Sequence, residues 1–344
     1  MTLRVISGRA GTGKTTFIHR EIVEDLKTNL FANPIFILVP DQMSFTTEYE
    51  LTTKYDIEGM MRAQVMTFKR LAWYVLQNEG GIARERIDGT GYRMLLRRIL
   101  EEHQEEFLLF KRAAGKRGFT KEVEQILKEF SQYHIDVETI EPLINSLREN
   151  GASEVLLHKM HDLHIILKQL HERIGTEYID GDGYLPMLIE RLPKMESLRD
   201  THVYLDGFVS FNGQEMSILK ELLIYAKRVT IVLPMEDPHA DMLEGSVFYR
   251  AAMTYDKIKH ELQKLRFERG IDIEEEPRVH LEVNYRAKNQ DLLQIERSFD
   301  KVIDAPIEST GYAQILEGVN PRAEVQGIAQ EIKQLVLKKG LRYK

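Results

Sequence analysis

Cysteine is absent from this chain of 344 residues, which excludes disulfides, a cysteine-ligated zinc or iron–sulfur site and thiol catalysis within these residues. No stretch offers eighteen apolar residues free of charge, so no transmembrane helix is expected. The amino terminus runs straight into a strand, without the charged and apolar regions of a secretory signal. Positive charge is also short: 47 Lys and Arg stand against 54 Asp and Glu, a net charge of −7. A surface that grips nucleic acid all over is therefore excluded, and any such contact must be local. The balance describes a soluble globular protein of the cytoplasm, 43% hydrophobic, with enough material for two or three domains.

The most informative stretch is the first twenty residues, MTLRVISGRAGTGKTTFIHR. Leu3 to Ser7 read as a strand, Thr16 to Glu24 as a helix, and the octet Gly8 to Thr15 between them fits G-x-x-x-x-G-K-[ST]. In such a phosphate-binding loop Gly8, Gly11 and Gly13 let backbone N–H groups curl around phosphate oxygens with no Cβ in the way. Lys14 reaches the β and γ phosphates, Thr15 offers its hydroxyl to Mg²⁺, and Thr16 opens the helix whose positive end faces the anion. The ligand expected is a nucleotide with Mg²⁺, with adenine or guanine left open.

Strand and helix signals then alternate. Ile35 to Val39 is an apolar run closed by Pro40, as in a strand buried on both faces of a parallel sheet. Ala63 to Met66 is a third strand, followed by a helix over Thr67 to Gln77 with Phe68, Leu71, Ala72, Val75 and Leu76 on one face. From Gly91 to Asp200 the period is helical, with one stripe on Val123, Ile126, Leu127, Phe130 and Tyr133 and another on Leu156, Met160, Leu163, Leu167 and Leu170. The segments IDGTGY and IDGDGY at the edges read as turns. Val203 to Asp206, Val229 to Leu233 and Val279 to Val283 resume the strands. The expected fold is α/β, a parallel sheet flanked by helices and interrupted by an all-α insertion. The expected domains are 1–90 and 201–290 as two parts of the P-loop domain, 91–200 as the insertion and 291–344 as the start of another domain.

In HVYLDGF a hydrophobic strand ends in Asp206, whose carboxylate can sit beside a phosphate-bound Mg²⁺; the competing reading is an Asp-Gly turn. The residue after it, where a water-polarising glutamate would stand in a motor, is Gly207. Glu215 lies nine residues on, and nothing in the sequence brings it back. His158, His161, His164 and His171 recur along one helix, but only close neighbours share a face and no cysteine or carboxylate cluster completes a metal site. Lys111, Arg112, Lys116 and Arg117 form a basic cluster that reads either as a DNA phosphate contact or as an ordinary surface loop.

The order GRAGTGKT, ILVPDQMSF, VMTFKRLAW, HVYLDGF, TIVLP and LEVNYRAKNQDLL resembles the successive motifs of superfamily 1 DNA helicases, whose core is RecA-like. More narrowly, GRAGTGKTT with ILVPDQMSFTTEYEL, YLDGFVSFNGQE and GVNPRAEVQGIAQEI resembles the amino-terminal part of the B subunit of the bacterial AddAB helicase-nuclease. That resemblance covers nearly the whole chain. It implies a role in DNA double-strand-break processing for recombinational repair, in a heterodimer with an A subunit, acting on single- and double-stranded DNA away from membranes. The B subunit it implies has a helicase-like fold without being the principal motor. Family B subunits also recognise the hotspot Chi and carry a carboxy-terminal nuclease domain with an iron–sulfur cluster, for which this chain has no cysteine. It stops at LRYK, where the helix Arg322 to Lys338 is expected to feed another strand, so it reads as a piece of a longer protein.

By the same resemblance Thr67, Phe68 and Lys69 match a motif that touches the DNA backbone, with a helix cap and a core aromatic as the alternatives for the first two. Arg286 matches the arginine that reaches a γ-phosphate, with a surface arginine as the alternative. With the sequence opening directly on the first strand, the superfamily's glutamine-bearing adenine pocket is expected to be absent, which leaves base selectivity open. Two further functions stand beside the leading one: an active translocating ATPase, which needs a catalytic carboxylate, and a P-loop kinase of a small molecule with the insertion as its lid.

Overall fold

The computed structural model describes residues 1–28, 33–55, 57, 60, 62–79, 85–116, 118–174, 178–179, 184–243, 245–299 and 306–343. They divide into two compact units, Met1–Glu282 and Val283–Lys344.

The first unit is built on parallel strands: β1 (Thr2–Gly8), β2 (Ile35–Leu38), β3 (Ala63–Met66), β6 (His202–Leu205), β7 (Arg228–Leu233), β8 (Glu274–Glu275) and β9 (Val279–Leu281). Across the sheet the order is β3-β2-β6-β7-β1, and β8 and β9 both pair with the outer side of β1. Each of the central strands is buried on both sides, and its alternate residues serve two cores. Leu3, Val5, Phe36, Leu38, Val203 and Ile231 face one way, onto α3 (Phe68–Glu79), α8 (Tyr184–Arg191), α9 (Gly213–Tyr225) and α10 (Tyr249–Arg269). Ile6, Ile35, Ile37, Val65 and Val232 face the other way, onto α1 (Lys14–Thr28) through Ile18, Ile22 and Leu26, and onto α2 (Ser44–Lys54) through Leu51. A continuous apolar run such as IFILV is what such two-sided burial demands.

Between α3 and β6 the chain leaves the sheet. A small parallel pair, β4 (Glu85–Arg86) with β5 (Tyr178–Ile179), sets its outgoing and returning strands side by side. Beyond it α4 (Gly89–Glu102), α5 (Phe119–Gln132), α6 (Val137–Glu149) and α7 (Glu154–Ile174) enclose their own core of Leu96, Ile99, Val123, Leu127, Leu163 and Ile166. Two stripe positions fall outside that core: Tyr133 is 64% exposed because it lies one residue past the end of α5, and Leu156 is 38% exposed on the first turn of α7. IDGTGY is not a free turn, because Asp88 caps α4 by accepting the Gly91 N–H at 2.6 Å. The middle of IDGDGY lies outside the described residues.

The last strand is shorter than the sequence suggests. Only Val279–Leu281 pairs with β1, since β1 ends at Gly8, the partner of Leu281, and Val283 is 59% exposed. The second unit holds α11 (Gln290–Ser298) and α12 (Pro321–Lys339). Asp291 on α11 accepts N–H groups from Thr310, Tyr312 and Ala313, which with burial working against them hold its carboxyl down at about 2. Asn320 caps α12, and Gly340 ends it in the left-handed conformation. Among the described residues no helix is long and apolar enough to cross a membrane.

A partly buried ionic network fixes α1 on the sheet. Glu21 of α1 receives a bidentate pair from Arg4 of β1 at 2.7 and 2.8 Å and the Tyr204 hydroxyl of β6 at 2.8 Å. Burial alone would raise the Glu21 carboxyl, but the hydrogen bonds from Arg4 and Tyr204 and the charges of Arg4 and Arg228 hold it below its ordinary value of 4.5. An acid depressed on folding stabilises the fold above its unfolded value and loses that contribution as the pH falls through the folded one. Glu21→Gln leaves Arg4 buried without its charge partner, which is expected to cost about 2–4 kcal/mol near neutral pH. Urea unfolding followed by Trp73, the one tryptophan, checks this, and the gap between wild type and variant is expected to narrow as the pH drops below 4.5.

Candidate nucleotide site

Residues 8–15 leave the C-terminal end of β1 and enter α1, whose first free N–H groups face the loop. The loop is crowded. A Cβ on Gly8 would stand 2.5 Å from both the Leu281 carbonyl oxygen and the Thr12 hydroxyl, so no other residue fits there. Gly11 and Gly13 take φ of 86° and 81°, which an L side chain resists. The Lys14 ammonium donates to the carbonyl oxygens of Gly8 at 2.7 Å and Arg9 at 2.8 Å, lying back over its own loop. Thr16 is exposed on the first turn of α1.

The Thr15 hydroxyl donates to Asp206 Oδ2 at 2.7 Å. Asp206 follows β6, which is separated from β1 by β7 alone, and is 5% exposed. Its backbone N–H bonds to the Leu38 carbonyl of β2, and its Oδ1 accepts the Gly207 N–H at 2.9 Å. Carboxylate and hydroxyl thus meet at the carboxyl ends of the strands, where open parallel sheets bind ligands. Hard oxygen ligands of this kind suit Mg²⁺, and the glycine cradle with its lysine suits phosphate, so the residues present fit the metal–nucleotide pair. His19, one turn beyond Thr15, is buried, and that burial lowers its pKa against the opposing charges of Asp206 and Glu50.

The loop is braced by residues that the sequence did not single out. Arg9 pairs with Glu236 at 3.0 Å and lies over the Phe248 ring at 4.9 Å. Arg278 donates to the Ser7 hydroxyl and to the Glu236 carbonyl, and His280 Nδ1 lies 3.0 Å from Ser7 Oγ. These partners are 42 to 273 residues apart in sequence, and no local pattern marks them.

Gly207 has φ +82°, and a Cβ there would overlap Met43 Sδ and stand 3.2 Å from Pro40 Cδ. A side chain at the position next to Asp206 would therefore take a strained backbone and have to displace Met43. Glu215 is engaged in a capping box at the start of α9: its carboxylate accepts the Asn212 N–H and its own N–H bonds to Asn212 Oδ1. Burial and the nearby Asp41 raise its pKa, against the Asn212 hydrogen bond.

The motif Thr67-Phe68-Lys69 is split by the fold. Thr67 is buried and its hydroxyl accepts the Arg70 N–H at 3.2 Å, as a helix cap does. Phe68 is 5% exposed and packs against Phe208 and Phe211, which leaves no ring face for a base, while Lys69 is exposed. Arg286 lies in the second unit, exposed, on a turn whose N–H groups bond to Asn284 Oδ1. Of the four histidines of α7, His161 pairs with Asp162, and among the described residues no group of three or more His, Asp or Glu could hold a metal. Arg117 lies outside the described residues.

A parallel sheet with helices on both faces and a glycine-rich strand–loop–helix beside a buried aspartate defines the chain as an α/β protein with a phosphate-loop pattern at its strand ends. Residues 5–296 match the family described as ADDB, N-terminal, and the chain belongs to it. Over its full length it is 46% identical to the B subunit of the ATP-dependent helicase/deoxyribonuclease of Lysinibacillus sphaericus, covering 29% of that protein. It is 38% identical to the protein of the same name from Bacillus licheniformis, over 96% of this chain and 28% of that one. With the Bacillus subtilis protein it shares 36% identity over its whole length, again 29% of the relative. The chain thus spans under a third of the curated relatives it matches.

Gly207→Ala is expected to destabilise the chain by about 1–3 kcal/mol, from the left-handed backbone and the overlap with Met43. Urea denaturation measures it, and adding Met43→Ala is expected to restore part of the loss.

Proposed function

We propose that this chain is the nucleotide-binding, DNA-engaging amino-terminal part of a helicase–nuclease subunit, with a RecA-like core. It holds ATP and Mg²⁺ more than it turns them over. The observation that carries the reading is the 2.7 Å hydrogen bond from Thr15 to Asp206, which joins across the sheet the hydroxyl and the carboxylate that we assign to Mg²⁺. Gly8, Gly11, Gly13 and Thr16 offer backbone N–H groups to phosphate, and Lys14 leaves the Gly8 and Arg9 carbonyls to meet its charge. Bound Mg²⁺ would neutralise phosphate charge. Lys69 is assigned to the DNA backbone, with Thr67 and Phe68 positioning it from within the helix start. The relatives' names include helicase and deoxyribonuclease activities and imply a second subunit. For the whole protein we infer a heterodimer with an A subunit, work on double-strand breaks in the cytoplasm, and a nuclease centre outside this chain.

Slow turnover follows from what surrounds Asp206. A phosphate site without a positioned carboxylate still binds, but lacks general-base assistance worth about 10² to 10⁴ in rate. The absence of a side chain at Gly207 and the engagement of Glu215 in a helix cap support that reading.

Lys14→Ala is expected to weaken Mg-ATP binding about ten- to a hundredfold, the loss of a charge-assisted interaction of about 1.5–3 kcal/mol. Unchanged affinity in calorimetry overturns the site. Turnover is expected at least about a hundredfold below an active motor, tested in the full-length subunit with the partner's own phosphate loop disabled. DNA-stimulated hydrolysis at ordinary helicase rates there, abolished by Lys14→Ala, would restore the motor reading and point to Glu215 or Asp41 as the base.

A further inference from the structure

Between α4 and α5 the insertion presents a feature that the nucleotide site does not use. In the run FLLFKR, Phe107 and Phe110 turn inward at 3% and 7% exposure and join the helical core, whereas Leu108 and Leu109 between them are 56% and 41% exposed. The backbone that holds them out is pinned from beneath. Asp162 of α7, wholly buried, accepts the N–H groups of Leu108, Leu109 and Phe110, each at 2.8 Å. The Gln104 side chain donates to the Lys111 carbonyl at 2.9 Å. Three hydrogen bonds to one carboxylate are a strong set, and an apolar tip ordered in advance loses little entropy when it meets a partner.

The charges around the tip are unevenly matched. Glu105 is paired with Lys111 and Glu106 with His103; further back Glu101 is paired with Arg97, and Glu102 with Arg98 and Arg173. Arg112 and Lys116 are exposed, and among the described residues neither has an ion-pair partner. Leu109 and Arg112 stand three residues apart across the 3-10 turn Phe110–Arg112, a spacing that brings side chains to one side. The result is a rigid aliphatic point with uncompensated positive charge behind it.

An apolar face framed by anions is what such a point fits. The end of a DNA duplex supplies one: the outer face of its last base pair is apolar and stacked, and phosphates stand on either side. Aliphatic wedges open base steps in this way, with cations on the neighbouring phosphates. We propose that this tip is a contact for DNA ends, with Leu108 and Leu109 against the terminal base pair and Arg112 and Lys116 on the backbone. The proposal rests on the DNA-engaging reading of the chain and is independent of the nucleotide site.

The test uses the 344-residue chain and a blunt duplex with 2-aminopurine in its terminal pair. Anisotropy across a salt series gives the affinity, and 2-aminopurine fluorescence gives the unstacking. Wild type is expected to bind and to raise the fluorescence. Arg112→Glu with Lys116→Glu is expected to weaken binding at least about tenfold and to flatten the log–log salt slope by about 2, since each phosphate no longer neutralised removes about 0.9. Leu108→Ser with Leu109→Ser is expected to leave the slope unchanged and to abolish the fluorescence rise. All four positions are exposed, and an unchanged circular dichroism spectrum confirms that the variants fold. Wild-type binding that ignores both pairs of changes overturns the tip and leaves the DNA-engaging reading standing. A wild-type chain that binds no DNA overturns both. A leucine variant with normal DNA binding that no longer assembles with the partner subunit makes the tip a protein interface and overturns the DNA assignment.

Discussion

The hydrogen bond between Thr15 and Asp206 joins residues 191 positions apart, and it exists only if three separate pieces of packing hold. α1 must be seated at a fixed height on the sheet, which the Arg4–Glu21–Tyr204 network does from further along the helix. β6 must be in register with β2 and β7, so that Asp206 emerges level with the loop; the Asp206 N–H bond to the Leu38 carbonyl continues that ladder beyond the strand. The loop itself must pass close under Leu281, which only glycine at position 8 permits. Each is a constraint of backbone position, and the side-chain contact reports that all three are met.

Binding and turnover make different demands on that geometry. A cradle needs backbone donors, one cation and oxygen ligands, and those stand together at the strand ends. An attacking water needs a carboxylate beside Asp206, and there the chain has a left-handed glycine covered by Met43 and Pro40. The side chain of Glu215 is engaged in the helix cap of α9, where it satisfies an otherwise orphaned backbone donor. The same short segment, 206–215, therefore sets a carboxylate against Thr15 and leaves the neighbouring position without a side chain.

The insertion follows a different logic from the sheet. Its core is closed by aromatic and aliphatic faces of four helices, and it meets the sheet layer where α5 ends against the start of α9. A Cβ on Gly213 would stand 2.7 Å from the Gln132 carbonyl, and Gln214 donates to Ser131 at 3.1 Å. The buried Asp162 shows how such a core shapes its own surface. A carboxylate placed in the interior has to be satisfied, and the backbone that satisfies it is forced to hold two leucines outward.

The amino-acid sequence by itself determined what depends on near neighbours. The octet Gly8–Thr15 marks its loop through glycine and lysine spacing, IFILV and HVYLD mark buried strands, and Asn320, Pro321 and Gly340 bracket α12 to within a residue of the expected helix. The family, too, was legible in the order of those motifs. What only the tertiary structure decided is which distant atoms meet: the strand order that sets β7 between β1 and β6, the Arg9–Glu236 brace across 227 residues, the burial of Phe68 and the packing of Met43 over Gly207. It also settled that β9 stops at Leu281, because its partner strand ends at Gly8. Periodicity and capping are properties of a few consecutive residues, set by local backbone geometry. Strand order and side-chain encounters depend on how whole layers pack, and no window of sequence contains that information.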